Sequence, residues 1–330
     1  GNPGRAKKPL EKKAATRRSD RLEDVFEIIR KSPIQSSWSQ FMVAKRKKED
    51  SLSLLAILDT ALFENTEDQY NNEFRHLVDL HLSLLASDRG YPNASLRPLD
   101  YYWFSKGESI IELEFSDGVL LQDVVRRHGK FRFSHCLPLL NTLGTLLDSF
   151  ESNGLPLPSL GEGEILLIPA GKDAGDLFLS RSMPDWPDYR VEVNPLSLPR
   201  SVTLKAEEGG IEQTLDSNDL ITSQGQGGKT FSASVIFCAR VYRLIGGKPV
   251  PGVAFQSKYG YSNISGLTEE SNNLLRDHIC AQSGAGAKCV DILRAICEAE
   301  GEAFPSSQED QFAREEPGKR RAPQESRDSQ

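Results

Sequence analysis

The stretch SIIELEFSDGVLLQDVV, residues 109–125, decides how the chain is organised. Its apolar first half predicts a buried strand over 108–115. The polar break Ser-Asp-Gly follows, and the apolar spacing after it predicts a short helix over 119–128. The stretch therefore marks the point where predicted strands give way to predicted helices.

The residues on either side of this stretch differ in their predicted secondary structure. The earlier strands are 24–29, 38–45, 52–58 (also consistent with a helix start) and 96–104, with one helix at 67–85. The later helices are 133–153, with Gly154 as its C-cap, 231–245, 268–281 and 287–300. Between them, 155–223 is irregular apart from apolar pieces at 165–168 and 189–193. This order predicts an α+β fold with a β-rich first part.

Both ends of the chain are polar and lack periodicity, so we predict a disordered basic leader at 1–21 and a disordered tail at 304–330. The leader holds eight Lys or Arg against two acidic residues, in a chain of net charge −7. Such an arm can touch nucleic acid. A solvated leader is the simpler interpretation, and nucleic-acid binding is not expected. Because the chain begins with Gly1, we expect a fragment of a longer protein.

Composition excludes several classes of protein. The 330 residues are 38% hydrophobic and 26% charged, which suits a globular domain rather than a collagenous or wholly disordered chain. No apolar run approaches the roughly 20 residues that span a bilayer, so no membrane span is predicted. The five cysteines are odd in number and form no CxxC, which favours a reducing compartment and a cytoplasmic location.

Three stretches together resemble the protein-kinase fold, and in particular the bacterial serine/threonine kinases. Residues 109–125 resemble the fifth strand, the hinge and the first helix of the large lobe, with Glu114, Asp117 and Gly118 following the strand. Residues 133–154 resemble the long buried helix, and 232–251 resemble the large-lobe helix that ends in Gly-Lys-Pro. The resemblance implies a bilobal fold: a small β-rich lobe with one helix at 22–116 and a larger, mainly helical lobe at 117–303.

The positions that carry kinase chemistry depart from that family. Kinases position the γ-phosphoryl group with a glycine-rich loop, a lysine, two metal ligands and a base aspartate. Here the loop 31–37, KSPIQSS, has no glycine, and Leu157-Pro158-Ser159 stands where His-Arg-Asp belongs. Glu164 replaces the metal-binding Asn, and 194–196, Asn-Pro-Leu, replaces Asp-Phe-Gly. The resemblance therefore implies a degenerate kinase, a pseudokinase, with no catalytic residues.

Two alignments remain open for the phosphate-binding lysine. Val43-Ala44-Lys45 resembles the family's VAxK strand, and Glu73 would then be the paired helix glutamate. That alignment leaves too few residues for two strands and a glycine loop. The alignment we favour makes 52–58 the third strand, with Ala56 or Ile57 in place of the lysine. Leu77 fits the glutamate position as well as Glu73 does.

Other candidate sites are weaker. Glu112 and Glu114 share one face of a strand near the predicted hinge, where an ion-paired face is the simpler interpretation. Gly228-Lys229-Thr230 fits the end of a P-loop, although the first glycine position is Ser223 and a flexible loop before a helix explains it as well. The histidines are scattered, so no metal site is predicted.

These observations predict an inactive kinase-like domain that binds, scaffolds or regulates a protein partner, with no cofactor expected and the interlobe cleft as the default small-molecule or nucleotide site. One alternative is an active atypical kinase, which would need ATP and Mg²⁺ and would use Lys45, Glu73 and an acidic residue such as Asp176 or Asp185. The other is a P-loop nucleotide hydrolase built on Lys229 and Thr230.

Overall fold

The computed structural model describes residues 13–171, 174–205, 231–253, 257–280 and 286–305. The first lobe is a five-stranded antiparallel sheet in the order β1-β2-β3-β5-β4 with one long helix. In chain order its elements are α1 (Leu22–Val25), β1 (Phe26–Lys31), β2 (Ser39–Arg46), β3 (Ser51–Leu58), α2 (Glu67–Leu85), β4 (Pro98–Trp103) and β5 (Ser109–Glu114).

The central strand of this sheet resolves the ambiguity at 52–58. This segment forms β3, which pairs with β2 on one side and β5 on the other, so its backbone groups are satisfied by two neighbours. Its residues Leu54, Leu55 and Ala56 are fully buried. Consecutive apolar residues are expected where both faces of a strand are covered.

Helix α2 has the bounds that its sequence pattern predicts. Thr66 and Gln69 form a capping box at its start, with the Thr66 amide donating to Gln69 Oε1 at 3.0 Å. The helix presents Phe74, Leu77 and Val78 to the sheet. This buried stripe is the reason that α2 stays on one face of the sheet.

The second lobe is mainly helical and carries a small three-stranded sheet, β6-β7-β8. Its elements are β6 (Val119–Leu120), α3 (Leu121–His128), α4 (Phe133–Asn153), β7 (Ile165–Pro169), α5 (Asp176–Ser180), β8 (Tyr189–Val193), α6 (Ala233–Leu244), α7 (Glu269–Cys280) and α8 (Cys289–Glu300). Gly154, at φ 69°, ends α4 in the left-handed conformation, as predicted. The predicted helix at 119–128 begins two residues late, because Val119 and Leu120 pair with β7 instead.

The α+β prediction with a β-rich first lobe and a helical second lobe is confirmed. The predicted disordered leader, in contrast, is wrong for residues 13–21. The Ala15 amide donates to Asn72 Oδ1 at 2.8 Å, and the Arg18 amide donates to the Trp103 carbonyl at 2.7 Å. The Arg18 guanidinium lies 5.1 Å from the centre of the Tyr102 ring. Residues 1–12 and 306–330 lie outside the described ranges.

The sequence analysis predicted that the chain has no membrane span and that its cysteines lie in a reducing compartment. Among the described residues, no helix is long and apolar enough to cross a membrane. The five cysteines are free thiols, and four of them are buried. Burial raises the pKa of the Cys136 thiol to about 12, so this side chain behaves as a small apolar group.

Candidate functional site

Apolar side chains of the two lobes pack together where the lobes meet. Leu54 and Ala56 of β3 belong to the same buried cluster as Leu120 of β6 and Leu166 and Ile168 of β7. None of the five is more than 7% exposed. Side chains from both lobes therefore belong to one buried apolar cluster.

The connection between the lobes depends on a close backbone contact. A Cβ atom on Gly118 would lie 2.6 Å from the carbonyl oxygen of Leu167, which no larger residue could accept without a shift of the backbone. Beside it, Asp117 pairs with Arg30 of β1 at 2.7 Å. The ion pair is half-exposed, so it contributes little stability, but it joins the edge of the small lobe to the hinge.

The loop between β1 and β2 is held against the second lobe. The Gln35 amide donates to the Gly163 carbonyl at 2.9 Å, and Ile34 is buried in the interlobe cluster. A Cβ on Gly163 would lie 3.0 Å from Gln35 Oε1, so the two segments are in close contact. The segment aligned with a flexible phosphate-binding loop therefore docks on the segment aligned with the catalytic loop.

Glu164 holds the aligned catalytic loop together. Its Oε2 accepts hydrogen bonds from the Ser159 hydroxyl and, at 3.1 Å, from the Gly161 amide. Between these residues Leu160 is fully buried in the left-handed region at φ 55°, an uncommon conformation for a bulky side chain. The carboxylate thus maintains a strained turn.

Asn194 completes this arrangement from the end of β8. Its Nδ2 donates to Glu164 Oε1 at 3.3 Å, and its backbone amide donates to the Glu164 carbonyl at 2.8 Å. Its Oδ1 accepts the Leu196 amide at 3.1 Å. The two side chains at the aligned metal-ligand positions are therefore neighbours, and all three of their oxygens already accept hydrogen bonds from the protein.

A buried ion pair with helix α6 also holds the aligned catalytic loop in place. Arg240 of α6 contacts Glu162 Oε1 at 3.2 Å, and both side chains are less than 10% exposed. Burial raises the pKa of Glu164, and the hydrogen bonds from Ser159 and Gly161 and the charge of Arg240 oppose that rise. The sequence analysis missed this pair, although Arg240 within a largely apolar helix was a detectable signal.

The candidate lysine lies away from this loop. Lys45 stands near the turn from β2 to β3, forms an ion pair with Asp50 and is 41% exposed. The hydrogen bond and charge of Asp50 raise the pKa of Lys45. On β3, Ala56 faces α2, whereas Ile57 packs on the opposite face of the sheet. Of the two residues named for the lysine position, only Ala56 is oriented toward α2.

The candidate acidic residues have different environments. Glu112 faces the outer side of the sheet, not the cleft, and is buried with Arg46 at 2.5 Å, Ser53 at 2.7 Å and Tyr102 at 2.9 Å. Glu112 therefore belongs to the ion-paired face that was the simpler interpretation. Glu73 is half-buried on α2, and Glu114, also half-buried, ends β5.

Aromatic rings pack where α2 meets the sheet. The Phe74 ring lies 5.2 Å from that of Trp38 and 5.7 Å from that of Phe63. This apolar group stands next to Glu73 on the helix.

The segment after β8 also packs against the small lobe. Asn65 donates to the Ser201 carbonyl at 2.9 Å and accepts the Thr203 amide at 2.8 Å, and the Glu64 amide donates to the Thr203 carbonyl at 2.9 Å. Leu196, Leu198 and Val202 join the interlobe cluster. These contacts connect the loop before α2 to the segment that follows Asn194.

The remaining candidates are the P-loop residues, the two aspartates of the active-kinase alternative and any metal site. Gly228, Lys229 and Thr230 of the P-loop alternative lie outside the described ranges. Asp176 begins α5 and Asp185 lies in a turn before β8. No group of three His, Cys, Asp or Glu side chains that could hold a metal ion occurs among the residues with a described position.

The comparison with solved structures identifies the architecture. The chain matches the crystal structure of the Mycobacterium tuberculosis PknI kinase domain with a TM-score of 0.52, covering 83% of this chain and 96% of that one. This chain has a protein-kinase-like fold. The predicted fold is thereby confirmed; at 12% identity the likeness extends to the fold alone. No protein-family model matches the chain, and no curated protein does.

Proposed function

We propose that this kinase-like domain is catalytically inactive and acts as a binding, scaffolding or regulatory module for a protein partner. The observation that carries the proposal is the hydrogen-bonded group of Ser159, Glu164 and Asn194. A phosphotransferase needs free oxygens at two of these positions for Mg²⁺ and a base at the third. Here the oxygens accept internal hydrogen bonds, and a serine replaces the base.

The contacts between the lobes support the same proposal. The backbone hydrogen bond from Gln35 to Gly163 and the shared apolar cluster hold the two lobes together next to Glu164. Separating them would require breaking the Gln35 hydrogen bond and exposing apolar surface, which is unfavourable. Under this proposal the domain uses neither ATP nor Mg²⁺ as a cofactor. A cytoplasmic location remains a prediction from the sequence.

The side-by-side placement of Glu164 and Asn194 favours one second candidate, an atypical metal-dependent nucleotide site. A carboxylate and an amide are both ligands for hard cations. Kinases have an asparagine at the position aligned with Glu164 and an aspartate at the position aligned with Asn194. The acid and the amide have therefore exchanged positions relative to that family. The hydrogen bonds to all three oxygens argue against this candidate, because they would compete with a metal for the lone pairs of these oxygens.

A thermal unfolding experiment with ATP and Mg²⁺ tests the proposal. We expect no change in Tm, since the metal-ligand oxygens already accept hydrogen bonds from the protein. A ligand at about 100 times its Kd would stabilise the fold by roughly 2.7 kcal/mol, or about 5 °C for a chain of this size. A Mg²⁺-dependent rise of that size would overturn the proposal.

Three variants identify the source of such a rise. Loss of the rise in Lys45→Ala would support the active-kinase alternative, and loss in Lys229→Ala would support the P-loop alternative. Lys248→Ala, which also removes one lysine charge, is the matched control. Loss in all three would mean that the rise reflects general charge rather than a nucleotide site.

A further inference from the structure

A groove on the second lobe has an unusual charge composition. Its volume is about 770 Å³, within the range of ligand sites. It is lined by the loop at 89–94, by α4, β8 and α8, and by Phe304 and Pro305. The described lining residues include three arginines, Arg89, Arg190 and Arg294, and no Asp or Glu, in a chain of net charge −7. This groove is separate from the interlobe cluster.

Each of the three arginines contacts a neighbouring side chain, but only Arg190 is paired with a carboxylate. Arg190 pairs with Glu192 at 3.2 Å, and Arg89 donates to Asn153 Oδ1 at 3.3 Å. The Arg294 guanidinium lies 4.8 Å from the centre of the Phe304 ring. Within the described part of the chain, neither Arg89 nor Arg294 forms an ion pair. The groove therefore offers two uncompensated guanidinium groups beside hydroxyl and amide groups of α4, a chemistry that suits carboxylates.

The chain itself supplies a segment of matching chemistry. Residues 306–316, SSQEDQFAREE, hold four carboxylates against one arginine and contain Phe312. They follow directly on Pro305, which already lines the groove. Phe312 is seven residues further on, within at most about 25 Å of extended chain. Apolar lining residues such as Leu146 and Val191 could receive its ring.

We propose that this groove is a docking site for an acidic, aromatic-containing peptide segment, and that the segment is residues 306–316 of the same chain. Carboxylates of the segment pair with Arg89 and Arg294, and Phe312 packs on the apolar floor. This proposal does not depend on whether the interlobe cleft binds a nucleotide.

The test uses the full chain with photo-reactive p-benzoylphenylalanine in place of Phe312. After irradiation and digestion, mass spectrometry should find crosslinks within one chain to 89–94, to α4 or to α8. Crosslinks elsewhere on the surface, or none to the groove, would overturn the proposal. So would crosslinks that join two chains, because the occupant would then come from a second copy.

A charge variant provides an independent measurement in the same experiment. Arg89→Gln/Arg294→Gln should lower the yield of groove crosslinks about fivefold, and a high salt concentration should lower it similarly. The matched control is Arg126→Gln/Arg181→Gln, which removes two exposed arginines elsewhere. An equal fall in the control would mean that net charge alone acts, and would contradict the docking site.

Discussion

At the scale of single residues, buried polar groups connect helix α2 to the loop that follows it. His81 of α2 is fully buried and its Nδ1 lies 2.8 Å from the Tyr91 hydroxyl. Tyr91 in turn contacts Ser95 at 3.1 Å. Burial lowers the pKa of His81 to about 4, because the charged imidazolium would lose its hydration.

The lowered pKa of His81 predicts a pH dependence of stability. The unfolded chain binds a proton near the ordinary pKa of 6.5, whereas the folded chain binds it only near 4. The unfolded state therefore holds more protons between these values, and the free energy of unfolding falls as the pH is lowered through this window, by on the order of 3 kcal/mol. Urea unfolding between pH 4 and pH 7 measures it. The slope should be smaller in His81→Gln, and an unchanged slope would show that other groups cause it.

The buried pair of Arg240 and Glu162 makes a second prediction at this scale. Arg240→Leu should lower the free energy of unfolding by about 3–5 kcal/mol, because Glu162 would remain buried without its partner. The double variant Arg240→Leu/Glu162→Gln should recover part of the loss, since the unpaired charge is then removed. Urea denaturation of the variants measures both values. A double variant no more stable than the single one would contradict the assigned pairing.

At the scale of secondary-structure elements, the decisive contacts are between strands and the loops that meet them. The short strand β6 pairs with β7 through Val119 and Leu120, and this pairing depends on the close approach at Gly118. The sequence analysis placed Gly118 after the predicted strand but could not tell which backbone it approaches, because β7 lies about 50 residues further along the chain.

The approach at Gly118 predicts a steric effect. In Gly118→Ala the new Cβ would lie 2.6 Å from the Leu167 carbonyl oxygen, so the hinge must shift and the pairing of β6 with β7 weakens. We expect a loss of about 1–3 kcal/mol in the free energy of unfolding. Hydrogen exchange at the β6 and β7 amides should become faster.

The matched control is Gly266→Ala, where a Cβ would meet nothing within 4 Å. It should change the stability by less than about 0.5 kcal/mol. Equal effects of the two substitutions would mean that glycine flexibility, rather than the contact with Leu167, matters at Gly118.

At the scale of the whole molecule, the two lobes share one apolar cluster. Leu166 of β7 is 1% exposed and belongs to the same cluster as Leu54, Phe74 and Val202. Burial of apolar surface between the lobes couples their unfolding, since neither lobe can open without exposing residues of the other.

This coupling predicts the effect of a cavity between the lobes. Leu166→Ala should destabilise the fold by about 2–5 kcal/mol and keep a single cooperative transition. Ile29→Ala, at a side chain that is 51% exposed, is the control and should have little effect. The measurement is urea unfolding followed by hydrogen exchange in both lobes. Independent unfolding of the two lobes in the wild-type chain would contradict the coupling.

Local sequence pattern was sufficient to predict most elements. The helices α2 and α4 were predicted with their observed bounds, because a buried stripe at helical spacing and a terminal glycine are short-range properties. Ser159 and Asn194 could be identified as poor substitutes for catalytic groups from their residue types alone. The element order was enough to predict the lobed fold.

Only the tertiary structure decided which distant residues contact Glu164, Glu162 and Gln35. Glu164 contacts Asn194 thirty positions away, Glu162 contacts Arg240, and Gln35 reaches Gly163 across the cleft. Such partners are set by how strands and loops from distant parts of the chain meet, which periodicity within a short window cannot specify. The sequence by itself determined the kinase-like order of elements, because that order follows from short-range apolar patterns. The packing of distant segments determined which side chains meet at the boundary between the lobes, because those contacts join residues far apart in the chain.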